Sequence, residues 1–121
     1  MSELPTDRSP AALASTATLD APALHVLLAD GDDASRELRE AQLRRAGFRV
    51  SVARTGFEAI VKASCKVPDV ILLDDSLSDI EAAETGRLLT TCPVTSHIPV
   101  VRLRSSRRLP SRILSQLRRA V

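Results

Sequence analysis

The chain has 121 residues, enough for one domain with a substantial core and too few for two. Hydrophobic residues make up 44% of it, as in ordinary globular proteins, but Phe48 and Phe57 are its only aromatics, which excludes the stacking platforms of single-strand nucleic-acid binders. The net charge of +2 hides an asymmetry, because the last twenty residues carry Arg102, Arg104, Arg107, Arg108, Arg112, Arg118 and Arg119 and no acid.

In chain order, residues 1–22 are rich in Ser, Thr, Ala and Pro. They bury too little to offset their ordering entropy and are expected to be a disordered tail, with a folded domain over 23–121. His25-Val26-Leu27-Leu28-Ala29 reads as a first strand, and it runs into Asp30. Asp32 or Asp33 then caps a helix that reaches about residue 46, where Gly47 stops it. Ala34, Leu38, Ala41 and Ala46 are assigned to its inner face, and Arg36, Arg39, Glu40 and Arg44 to its outer one.

Phe48 to Val52 alternates and predicts a half-exposed strand, and a helix over about 57–66 turns Ala59, Ile60 and Ala63 inward. Pro68-Asp69-Val70-Ile71-Leu72-Leu73-Asp74 is an apolar run without a polar break, as in a strand buried on both faces, and it too ends on a carboxylate. An acidic loop over 74–81 holds Asp75, Asp79 and Glu81, read as solvated. A helix over about 82–91 and a strand from Ile98 to Leu103 follow. Ile113, Leu114 and Leu117 recur at helical spacing after Pro110, which suits a first turn.

Strands alternating with helices of this length mean βαβ units and a parallel sheet. The crevice outside the carboxyl ends of such strands is where ligands bind, so Asp30 and Asp74 are the candidate site if their strands are neighbours. Cys65 and Cys92 have no metal-ligand spacing, which points to a reduced, cytoplasmic protein; His25 and His97 have no telling partner. No apolar run approaches membrane-spanning length and no secretory leader is visible.

Taken together and in order, VLLAD, LRRAGF, TGFEAI, PDVILLD and HIPVV resemble the receiver domain of bacterial two-component response regulators, over roughly residues 25–105. The resemblance implies a flavodoxin-like α/β three-layer sandwich. Only about sixteen residues follow the fourth strand's end, so a four-stranded sheet in order 2-1-3-4 is expected, with the family's fifth strand and one helix missing. It also implies that Asp74 accepts a phosphoryl group from a histidine kinase. Mg²⁺ would be held by Asp30, Asp74 and the backbone carbonyl of Ser76, with Asp32 standing in for a missing acid. Phosphoryl transfer needs such a grouping because positioning and charge neutralisation supply most of its catalysis.

The departures matter as much. Gly31 stands where the family's second acid is expected, and Asp75 adds charge beside Asp74. Arg104 and Ser105 fall at the switching Ser/Thr, and the family's lysine has no counterpart, leaving Arg102 or Arg104 to supply a cation. The expected function is a stand-alone signalling protein of a phosphorelay, not an enzyme, acting through protein contacts. The alternatives are a phosphorylation-independent pseudo-receiver adaptor and, from another class, an Arg-rich nucleic-acid accessory protein. Nucleic acid is the disfavoured partner, because the C-terminal arginines fit a core-docking helix and no reader motif is visible. The exposed edge of the fourth strand makes a homodimer a further expectation.

Overall fold

The computed structural model describes residues 23–104 and 108–119. The proposed tail and Ser105 lie outside that range. The elements run β1 (His25–Ala29), α1 (Asp33–Arg45), β2 (Arg49–Ala53), α2 (Gly56–Lys66), β3 (Val70–Asp74), α3 (Ala82–Thr91), β4 (Val100–Leu103) and α4 (Ser111–Arg119). The four strands form one sheet in the order β2-β1-β3-β4, every pair parallel. Strand order and element sequence are those expected, and the boundaries differ by one or two residues. The fourth strand begins at Val100, because Ile98 still closes the preceding turn onto Thr95.

The two central strands are buried along their whole length, which is why their sequences carry no polar break. Alternate residues feed two cores. Leu27, Ala29, Ile71 and Leu73 meet Ala59 and Ala63 of α2 and Ala82 and Leu89 of α3. Val26, Leu28, Val70 and Leu72 meet Leu43 of α1 and Leu117 of α4. The C-terminal helix therefore docks on the core, as its apolar spacing predicts. Its entry is fixed by Gln42, whose side chain donates to Leu109 O (2.7 Å) and accepts from Leu109 N (2.8 Å).

Local features shape both ends of the sheet. The Asp32 side chain caps α1 by accepting from Ser35 N at 2.8 Å, and Gly47 leaves that helix at φ 99°, a conformation open to glycine. Thr55 caps α2, and Val67 ends it in the left-handed region at φ 44°, unusual for a β-branched residue. Gly56 admits a close approach between helices, since a Cβ there would collide with Thr85 Oγ1 and the Ile80 carbonyl.

The face assigned to α1 from its sequence is corrected. Its buried residues are Ser35, Arg36, Arg39 and Leu43, and Leu38 is exposed. Apolarity misleads here because the end of α1 nearest the strand termini faces carboxylates rather than aliphatics. The stripe at i, i+4, i+8 runs hydroxyl, guanidinium, leucine, so its polarity follows the sheet's own gradient from mouth to core.

Candidate functional site

The register pairs Ala29 with Leu73, so the residues next along, Asp30 and Asp74, emerge side by side at the carboxyl edge of the sheet. Both are buried, at 0% and 2% exposure. The sequence-predicted pair is thus brought together. Between them lies a residue that the sequence reading placed on the solvent face.

Arg39 is 1% exposed. Its Nη1 donates to Asp74 Oδ1 at 2.6 Å and to Asp30 Oδ2 at 3.1 Å, and its Nη2 donates to the Arg104 carbonyl at 3.1 Å. One guanidinium thereby ties α1 to the ends of β1, β3 and β4. Charge-assisted bonds of this kind are the strong ones, and an arginine's fixed fork suits several acceptors at once.

Further donors reach both carboxylates. Asp30 Oδ1 accepts from Asp32 N (2.9 Å) and Ser76 Oγ (3.0 Å), and its Oδ2 accepts from Ser35 Oγ (2.6 Å). Asp74 Oδ2 accepts from Ser76 N at 2.8 Å. Burial pushes the Asp74 carboxyl up, yet the hydrogen bonds from Ser76 and Arg39 together hold it below the usual carboxylate range.

Gly31 has a steric role. Its amide donates to Ser76 Oγ at 2.9 Å, and a Cβ at this position would stand 2.7 Å from the Ser76 carbonyl oxygen. The backbone of the loop after β3 occupies the space that a second acid's side chain would need.

These residues do not fit Mg²⁺ as arranged. The cation between Asp30 and Asp74 is a guanidinium, the Ser76 carbonyl faces Gly31, and the Asp32 carboxylate is engaged as a helix cap. Among the described residues, no three acidic, histidine or cysteine side chains gather as a metal site. A hard dication needs carboxylate and carbonyl oxygens turned towards it.

Other expectations resolve one by one. Arg102 does not lean over the acids; it pairs with exposed Asp75 at 2.8 Å. Arg104 contributes its carbonyl to Arg39, and its side chain is exposed. Asp75, Asp79 and Glu81 are exposed, as expected, and Asp79 in addition accepts from Gly56 N (2.8 Å) and Phe57 N (3.1 Å), capping α2 from another loop. Glu81 precedes α3 without a side-chain cap bond. His25 Nε2 meets Ser51 Oγ at 2.7 Å, and both cysteines are free thiols.

Arg39 is the residue that sequence reasoning missed. Two signals pointed to it: the Ser35–Arg39–Leu43 spacing, and two converging acids without the usual lysine. Buried like charges demand a counter-charge, and the chain had to supply one.

No protein-family model matches the chain. In sequence it is 37% identical over 76 residues to the response regulator PleD of Caulobacter vibrioides, a match covering 63% of this chain and 17% of that protein. Its structure is similar to Vibrio cholerae chemotaxis protein CheY4, with a TM-score of 0.72 and 22% identity over 82% of this chain and 99% of the other. It is also similar to the N-terminal domain of a response regulator receiver protein from Methanoculleus marisnigri, with a TM-score of 0.66 and 24% identity over 81% and 79% of the two chains.

Proposed function

We propose that this chain, similar in fold to response regulator receiver domains and in part of its sequence to a response regulator, signals through protein contacts without depending on phosphorylation of Asp74. The observation that carries this reading is the guanidinium of Arg39 seated between Asp30 and Asp74. A carboxylate nucleophile must offer a lone pair to an incoming phosphorus atom, with a cation ready for the charge on the phosphoryl oxygens. Here both Asp74 oxygens already accept hydrogen bonds. The cation nearest them is spent on the ground state, where it stabilises the resting protein rather than the transferring group.

In this reading Asp74 and Asp30 are structural, and the crevice is held closed by an internal ion triad. The protein then presents its partner-binding surface without any chemical change at Asp74. A partner protein is proposed because receiver domains work through such contacts.

Incubation with acetyl phosphate and Mg²⁺, read by intact mass, tests this. The expected result is an unchanged mass under conditions that modify an ordinary receiver domain. An adduct of one phosphoryl group that disappears in Asp74→Ala would overturn it, and Asp74 would then be the phosphoacceptor of a phosphorelay.

A further inference from the structure

Beside the acid pair lies a second cavity of about 230 Å³, lined by Arg39, Arg102, Arg104, Arg108, Leu109 and Arg112. We propose that it binds a phosphate-bearing small molecule through a diphosphate-sized anionic group. Five arginines line it and no acid does; Arg39 and Arg102 already pair with Asp30, Asp74 and Asp75, and the unengaged charge is that of Arg104 and Arg112. Among the described residues, the side chains of Arg104 and Arg112 enter no hydrogen bond or ion pair and are exposed.

Unpaired arginines brought together repel one another, and an anion entering between them removes that cost. Guanidinium forks match phosphate oxygens two at a time, which a lysine does not do. The N-terminus of α4 opens at the same place, with Pro110 lining the cavity and no acid in the first turn, so its positive end adds to the field. The volume is below the roughly 300–1,000 Å³ of a cleft that swallows a whole organic ligand. The cavity therefore holds the phosphate group while the rest of the molecule stays outside.

Arg39 connects the two sites. Its Nη2 reaches the Arg104 carbonyl at the cavity wall while its Nη1 holds Asp30 and Asp74. An anion drawing on this guanidinium loosens the acid pair, so ligand binding takes the place of phosphorylation as the input. That coupling rests on the function proposed above; binding itself does not.

The test is calorimetric titration of the full chain with pyrophosphate at about 0.15 M salt, where exposed charges beyond about 8 Å are screened. One saturable site per chain is expected. Arg104→Gln with Arg112→Gln weakens it by about tenfold or more, the loss of two charge-assisted hydrogen bonds. Arg118→Gln with Arg119→Gln, two turns further along α4, changes it by less than about twofold. Circular dichroism confirms that both variants are folded. Absence of saturable binding would overturn the proposal, and so would equal loss in the two double variants. Binding of a single-stranded oligonucleotide but not pyrophosphate would replace it with a diffuse nucleic-acid surface. All these readouts are non-covalent, so they stand apart from the acetyl phosphate test of Asp74.

Discussion

At Arg39, two carboxylates and one guanidinium share a volume from which water is excluded. Removing the cation leaves Asp30 and Asp74 facing each other without compensation. Arg39→Ala is expected to destabilise the fold by about 3–5 kcal/mol, the usual penalty for orphaning a buried ion partner, measured by urea unfolding. The triple change Arg39→Met, Asp30→Asn, Asp74→Asn removes all three charges and should recover most of that loss. If Arg39→Ala unfolds at the same urea concentration as the parent, the triad is not structural. The two acids were legible because each ends an unbroken aliphatic run. The arginine was not, because helical patterning ranks residues by apolarity and cannot see that the opposing wall is charged.

Among the elements, the loop after β3 does more than connect. Asp79 satisfies two amides at the start of α2, and the hydrogen bond from Gly56 draws its carboxyl below the ordinary value, with that from Phe57 adding to it. Asp79→Ala should loosen the first turn of α2, as loss of a helix cap does. Hydrogen exchange should quicken at Gly56 and Phe57 and stay unchanged in α1; uniform change across both helices would show that Asp79 is not acting as a cap. Helix and strand identities were readable throughout, since β1 and β3 are unbroken aliphatic runs, β2 alternates and Gly47 stops α1. What the sequence could not reveal was a cap that comes from 23 residues away, because capping signals are local.

Across the whole molecule, the histidine and carboxylate shifts among the described residues point one way. Burial lowers the pKa of His25, with Arg49 and Lys66 adding to the effect. Glu58 is lowered chiefly by the Arg54 amide, and Asp33 by the hydrogen bond from Arg36. A histidine depressed on folding is worth most when neutral, so its contribution is complete above about pH 6.5 and is lost as pH falls through its folded value. Depressed carboxylates contribute above about pH 4 and lose that contribution on further acidification. The urea midpoint should therefore fall in two stages as pH drops below neutrality. A His25→Gln variant should lack the first stage, and its persistence there would assign the titration elsewhere. Architecture at this scale was the most legible part, because four strands with helical connections leave few ways to build a parallel sheet. The basic cavity was only half visible: its arginines stand out in the sequence, while their convergence requires β4 and α4 to be placed.

Gly31 makes the present arrangement hard to retrace. Giving that position a carboxylate brings its first side-chain carbon against the Ser76 oxygen, and the new acid would still find a guanidinium holding both neighbours. On the reading proposed above, an engineer wanting phosphorylation of Asp74 would have to change Gly31, Arg39 and the path of the Ser76 backbone together. Each step taken alone loses stability before any gain arrives, so this chain sits on its own hilltop, with a valley between it and the relatives whose shape it shares.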